Sequence, residues 1–386
     1  MDIAAIRDKS VRYGVGLMSG TSCDGVDAAL IRLKGTGEDL IIKFIRHATY
    51  PYPEALRLRL LAPRIDASEL CALNFVVGEY LANAAYRLLA DVGELADGQV
   101  DFIASSGHTV AHLPPRDSEA IGTLQIGESA VIAERCKLPV ISDFRQRDMA
   151  VGGQGAPLVP HADWVLFHRD DRTVALLNIG GIANITVVTP ERDRVIAFDT
   201  GPGNMAIDGA VRMLTGGEKQ MDLDGQAAKK GVVIDEFMDQ LLDHPYFSDP
   251  PPKSTGREEF GPEVYLRDGL LARRDRPYED LVATVTAAVA FSIIRAYGRF
   301  VKPGFDVSRL IVSGGGAHNK TLMDRLVQGL PEVTVCRTDK YGIPVDAREA
   351  IAFAILGNET LCGTPANIPR ATGATHGVVL GKITPG

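Results

Sequence analysis

The sequence predicts a two-lobed α/β fold, each lobe a mixed sheet covered by helices. Three observations predict it. The 386 residues are enough for two ordinary cores. Strand-like and helix-like stretches occur in the same order in both halves. The 40 glycines, more than average usage gives, gather in loops between apolar runs.

The first half opens with three strands in quick succession, over 11–18, 26–33 and 40–47. Residues 67–94 follow as a helix, with Leu70, Leu73, Val77, Leu81 and Ala84 at three- and four-residue spacing. A short strand over 101–105, a loop with Gly107, Pro114 and Pro115, a helix over 126–137 and an extended stretch over 138–142 complete it. The second half begins with apolar runs at 173–179 and 183–188 flanking Gly180-Gly181, then a strand at 194–199. Helices over 203–215 and 224–242 precede Pro250-Pro251-Pro252, and a long alanine-rich helix covers 278–300. A strand over 308–313 ends in Gly314-Gly315-Gly316, with helices over 318–329 and 346–360 after it. Gly152, Gly153, Gln154 and Gly155 mark the expected break, giving lobes 1–145 and 146–386. A C-terminal segment crossing back onto the first lobe stays open.

Composition removes several function classes. No run of about 18 apolar residues stands out, so no membrane span is expected. The N-terminus lacks a secretory apolar core, which makes the cytoplasm the expected compartment. Cys23, Cys71, Cys136, Cys336 and Cys362 are isolated, against a disulfide framework or a structural zinc site. The net charge of −8 comes without a Lys/Arg block, against a nucleic-acid partner. Oligomeric state is open, a homodimer included.

Four turns carry the chemistry. The first is Ser19-Gly20-Thr21-Ser22-Cys23-Asp24-Gly25-Val26-Asp27, between two apolar strands. Gly20 and Gly25 can let backbone N–H groups converge on an anion, and Ser19, Thr21 and Ser22 add hydroxyls. Asp24 and Asp27 suit magnesium held through water. An ordinary solvated hairpin fits the same residues, and no Gly-Lys-Ser/Thr makes it a Walker motif. The second is Asn178-Ile179-Gly180-Gly181 and the third Ser313-Gly314-Gly315-Gly316, running into a helix whose N-terminus favours phosphate. Each glycine pair alone reads as a tight turn. Together, in the order hairpin, hairpin, strand-to-helix, they match the two phosphate loops and the adenosine loop of actin-like ATPases.

The fourth turn is Asp199-Thr200-Gly201-Pro202-Gly203-Asn204. Asp199 at a strand end suits a general base, and capping of the helix near 203 explains it equally well. Gly201 and Asn204 are the further candidates for substrate contact on this turn. His108 and His112 are four apart, but Pro114 and Pro115 argue against a helical metal pair, so packed or solvated histidines are expected. Neither a Gly-x-Ser-x-Gly elbow nor His-Glu-x-x-His occurs.

Longer blocks make the likeness specific. Gly16-Leu17-Met18-Ser19-Gly20-Thr21-Ser22, Asp143-Phe144-Arg145-Gln146-Arg147-Asp148, the run from Gly152 to Pro160, Phe198-Asp199-Thr200-Gly201-Pro202-Gly203-Asn204, Pro252-Lys253-Ser254-Thr255-Gly256-Arg257-Glu258 and Thr372-Gly373-Ala374 resemble the anhydro-N-acetylmuramic acid kinases. The resemblance runs from about residue 13 to residue 384. It implies two actin-like (RNase H-like) lobes with an ATP cleft between them. It also implies an ATP- and Mg2+-dependent enzyme that opens the 1,6-anhydro bond of an anhydro amino sugar with water and phosphorylates O6. The product would be N-acetylmuramic acid 6-phosphate, in peptidoglycan recycling.

In that likeness Asp199 matches the family's base and Glu349 a glutamate that binds the sugar. By itself, Glu349 reads as a solvated residue on the first turn of a helix. Arg145 and Arg147 would meet the lactyl carboxylate, or form structural ion pairs. One departure stands out: the family's Ser-His-Gly-Gln-Thr is here Ser105-Ser106-Gly107-His108-Thr109. It leaves room for a related anhydro-sugar such as levoglucosan. An open-sugar kinase and an actin- or chaperone-like ATPase are the rival readings.

Overall fold

The computed structural model describes residues 3–20, 23–62, 65–93, 95, 98–115 and 121–386. The chain forms two compact units, Met1–Phe167 with Asp346–Gly386, and His168–Val345. The boundary differs from the expected one. Residues 145 and 146 lie in the helix Arg145–Ala150, inside the first unit. The glycine-rich stretch after that helix is fastened: the buried Asp148 carboxylate accepts hydrogen bonds from the Gly155 N–H, the Asn367 amide and the Thr372 hydroxyl. What reads as a linker is a loop tied to the returning C-terminal segment.

The first unit carries β1 (Val11–Ser19), β2 (Gly25–Lys34), β3 (Ile41–Pro51), β4 (Phe102–Leu113), β5 (Gly122–Ile126) and β6 (Val140–Ser142). The second carries β7 (Thr173–Ile179), β8 (Ile182–Val188), β9 (Ile196–Pro202), β10 (Val307–Ser313) and β11 (Thr334–Arg337). β12 (Lys382–Thr384) returns to the first. Among the described residues the first sheet runs β12-β6-β4-β1-β2-β3, with β5 beside β4, and the second β11-β10-β7-β8-β9. In each, three successive strands pair antiparallel, the next (β4, β10) pairs parallel with the first, and a later one (β6, β11) pairs parallel with that strand in turn. The repeated order of elements in the sequence is therefore a repeated topology, that of the actin-like (RNase H-like) units.

In the first unit the helix Ala67–Val92 starts where the Asp66 carboxylate accepts from the Glu69 N–H. It buries Leu73, Val77, Leu81, Ala84 and Leu88 against Val15, Leu17, Ala28 and Leu30. The helix Arg348–Cys362 also packs on β1, where a Cβ at Gly16 would strike the Ala350 carbonyl. Gly16 thus lets the first turn of that helix, with Glu349, lie against the strand that ends at Ser19.

The second unit is built around the helix Tyr278–Ala296, buried along most of its length. With its continuation to Val301 it is long and apolar enough to cross a membrane, contrary to the composition-based expectation. Its most apolar window is 78% buried within the protein, which makes it a core helix here. The single helix expected over 224–242 is two, Gln226–Lys230 and Asp235–Leu242. Between them a Cβ at Gly231 would strike the Glu279 carbonyl, so the close packing of that segment requires glycine. β4 is longer than the expected strand over 101–105, because its second half pairs with β5. The helix expected from 126 begins at Ser129, after β5 has ended at Ile126.

Candidate active site

In the second unit, three of the four predicted turns come together. β7 and β8 are joined by Gly180-Gly181, whose carbonyls accept from the N–H groups of Gly203, Asn204 and Met205. The opening turn of the helix Asn204–Leu214 is therefore held by a backbone loop. A Cβ at Gly203 would collide with the Gly180 carbonyl, so this contact exists only with glycine. Asn178 is buried and accepts from the Ser313 hydroxyl at 3.2 Å. Gly314, at φ 79°, approaches both the Asn178 side chain and the Ile179 carbonyl. A Cβ at Gly315 would sit 3.1 Å from the Asn204 amide nitrogen, and one at Gly316 3.2 Å from its oxygen. Asn178, Gly180, Gly181, Asn204 and Gly314–Gly316 thus share one neighbourhood at the strand ends.

One detail differs from the sequence reading. A 3₁₀ turn, Gly315–His318, separates the glycines from the helix Lys320–Gly329. Asn319 caps that helix, accepting from the Leu322 N–H at 3.0 Å, so its first turn already has an acceptor.

Asp199 lies on β9, half-buried. A loop wraps it: the Asp199 N–H donates to the Lys253 carbonyl at 3.1 Å, and the Thr255 N–H donates to Oδ2 at 2.9 Å. The Tyr246 hydroxyl donates to the Asp199 carbonyl at 2.8 Å. The carboxylate is held by the 246–255 loop, and Gly203, not Asp199, precedes the helix at Asn204. Gly201, at φ 138°, leaves room for the Phe247 ring, 2.6 Å from where its Cβ would be. Lys253 and Thr255 had no role in the sequence reading, although the block containing them stood out.

In the first unit the hairpin between β1 and β2 turns at Gly20, whose carbonyl accepts from the Cys23 N–H. Thr21 and Ser22 lie outside the described residues. The Ser19 side chain is buried and already engaged: its hydroxyl lies 3.1 Å from His108 Nδ1 and accepts from the Tyr52 hydroxyl at 3.0 Å. His108 Nε2 lies 3.7 Å from Cys23 Sγ. His108 is thus a packed core histidine behind the hairpin, and burial pushes its imidazole down to about 4. Gly25 lets β2 approach the Tyr50 carbonyl of β3. Asp27 faces its cross-strand neighbour Thr49, whose hydroxyl donates to it at 2.5 Å, with His47 3.4 Å away. Asp24 is exposed at the hairpin tip. Among the described residues no three His, Cys, Asp or Glu side chains gather as a metal site.

Glu349 is half-buried at the second position of its helix. The preceding residue, Arg348, is buried and forms a two-bond ion pair with Asp163, Nε to Oδ1 at 2.7 Å and Nη2 to Oδ2. Arg145 joins Glu349: burial pushes its guanidinium below the ordinary value, and the Glu349 charge opposes the shift. His112 belongs to the same polar cluster. Burial first, then the Arg145 charge, pushes its imidazole down to about 4 against a backbone hydrogen bond with Gln154. Arg147 is exposed.

A duplicated fold of this topology, with glycine turns at its strand ends, is that of the actin-like class. The sequence profile described as Anhydro-N-acetylmuramic acid kinase matches residues 12–386, and the chain belongs to that family. An anhydro-N-acetylmuramic acid kinase of Caldanaerobacter subterraneus subsp. tengcongensis is 44% identical, covering 98% of this chain and 98% of its own. Relatives with the same description from Clostridioides difficile and Francisella tularensis subsp. novicida are 43% and 44% identical, covering 97% and 96% of this chain and 98% of each relative. Among solved structures, gluconate kinase from Lactobacillus acidophilus aligns at a TM-score of 0.47 and 12% identity, over 96% of this chain and 94% of that one.

Proposed function

We infer that this chain cleaves the 1,6-anhydro bond of 1,6-anhydro-N-acetylmuramic acid with water and transfers the γ-phosphoryl group of ATP to O6. The product is N-acetylmuramic acid 6-phosphate, a recycled cell-wall sugar. Five cysteines without a disulfide and the need for ATP fit the cytoplasm. The observation that carries the mechanism is the held Asp199 carboxylate, with the Thr255 N–H on Oδ2.

Asp199 takes a proton from water as the water oxygen bonds to C1. The C1–O6 bond breaks, and the electron pair stays on O6. That oxygen attacks the γ-phosphorus and ADP leaves. Ordinary glycoside hydrolysis needs a second carboxyl to protonate the leaving oxygen. Here the phosphoryl group takes the place of that proton, so one carboxylate suffices.

Glu349 and Arg145 bind the sugar, Arg145 supplying the positive charge for the lactyl carboxylate. In the second unit the backbone at Gly180-Gly181 and Gly314–Gly316 accommodates the nucleotide, with Asn178 and Asn204 beside it; in the first unit the turn at Gly20 is the candidate phosphate loop. Magnesium fits as an ion carried on the triphosphate and its water, with Asp24 as its protein carboxylate, because such ions keep several waters. Among the described residues no group of side chains forms a protein-built cage for it. When bound, it would neutralise phosphate charge. Buried and bonded to Cys23 and Ser19, His108 supports the hairpin, which argues against reading the Ser105–Thr109 departure as a change of substrate.

The test is a substrate panel. Purified protein with ATP and magnesium should phosphorylate anhydro-N-acetylmuramic acid and leave levoglucosan and open N-acetylmuramic acid nearly untouched. Preference for either of the last two would contradict the proposal.

A further inference from the structure

Lys253 is a charged side chain only 8% exposed, on the loop that holds Asp199. Its ammonium donates to the Tyr246 carbonyl at 2.9 Å. It sits 4.3 Å from the centroid of the Tyr246 ring and 5.0 Å from that of Phe300, the cation–π arrangement a desolvated ammonium favours. Both ends of the bond it makes lead to the aspartate. Tyr246 donates its hydroxyl to the Asp199 carbonyl, and the Lys253 carbonyl accepts from the Asp199 N–H. Two residues on, Thr255 supplies the N–H that holds Oδ2. A neutral residue would fill this apolar cage at lower cost, since burying a charge is expensive.

We infer that Lys253 is a positioning residue for the reaction. Its charged ammonium locks the 246–255 loop and thereby sets the Asp199 carboxylate, and loss of its proton releases the lock. The inference rests on the reading of Asp199 as the base.

The groups acting on Lys253 fit such a role. Burial dominates and pushes the ammonium down to about 8. Asp249, Asp199 and Glu259 hold the proton on, and Arg299 opposes them. The neutral amine can still touch the Tyr246 carbonyl, but it forfeits the charge-assisted bond and the attraction of both rings. The lock is therefore present below about pH 8 and lost above it.

The experiment compares pH profiles of kcat/KM for wild type, Lys253→Arg, Lys253→Met and Asp199→Asn, each checked for folding by thermal melt. Wild type should lose rate above about pH 8. Lys253→Arg, whose guanidinium stays charged throughout, should keep its rate through that range. Lys253→Met should fall by about tenfold or more at neutral pH and show no alkaline limb. If Lys253→Arg follows the wild-type alkaline curve, or is folded but as inactive as Lys253→Met, the inference is overturned. Should the methionine variant not fold, the arginine comparison decides alone. Asp199→Asn separates the two readings: sustained activity there overturns the base assignment as well, whereas an inactive Asp199→Asn beside unchanged lysine profiles overturns only this inference.

Discussion

Replacing Asp163 by asparagine removes one charge of a buried ion pair. Arg348 and Asp163 are 2% and 0% exposed at their side chains and make two parallel hydrogen bonds. Asparagine offers one acceptor and no charge, so the guanidinium loses the Asp163 charge and one of the two bonds made to it. Breaking such a pair costs about 3–5 kcal/mol. For a unit of roughly two hundred residues, each kcal/mol lowers the melting temperature by about 2–4 °C, so the loss is about 6–20 °C. Calorimetry on the full chain reads it directly. The pair is worth less than its breakage costs, because two charges were desolvated to make it. Asp163→Leu combined with Arg348→Met should therefore recover most of the lost stability. Arg348 also starts the helix that carries Glu349, so the broken pair should raise the sugar KM more than the ATP KM. A loss below about 1 kcal/mol in Asp163→Asn would refute the reasoning.

Three further outcomes follow from individual contacts. Gly16→Ala drives a methyl into the Ala350 carbonyl and should cost about 3 kcal/mol, with loss of sugar affinity, in denaturant titration and initial-rate assays. His108 is neutral in the fold down to about 4, whereas an unfolded imidazole takes a proton near 6.5. The unfolded chain binds more protons between those values, so stability falls as pH falls through that window, by about 3 kcal/mol in full. His108→Gln should flatten this part of the acid loss in urea melts at successive pH values, leaving the His112 contribution. Gly203→Ala should displace the Gly180 carbonyl and raise the ATP KM in the kinase assay, because the 180–181 turn holds the helix at Asn204.

The doubled fold was legible because strand, hairpin and helix recur in one order, and apolar spacing such as Leu73, Val77 and Leu81 survives as a real helix face. The turns at 178–181, 199–204 and 313–316 were legible because glycines at strand ends leave a mark in composition. Their meeting around Asn178 and Asn204 was not, since it depends on the β7–β10 pairing. The cluster of His112, Arg145 and Glu349 was hidden for the same reason, its members lying far apart in the chain. The Ser19 hydroxyl looked available to a ligand, because nothing local reveals that Tyr52 and His108 fold back onto it. The glycines at 152–155 looked like a linker, because what fastens them, the buried Asp148 carboxylate and the distant Thr372 carbonyl, leaves no mark in the local sequence. Local pattern reports backbone freedom. Buried polar partners supplied from a distance leave no local trace.

The central claim is that one carboxylate activates water while O6 leaves for phosphorus. The most direct test runs the reaction with ATP, magnesium and anhydro-N-acetylmuramic acid in ¹⁸O-labelled water, with mass spectrometry of the sugar product. The account predicts a 6-phosphate carrying ¹⁸O at C1 for wild type and no product for Asp199→Asn. A 6-phosphate without label at C1, or full activity in Asp199→Asn, would contradict it.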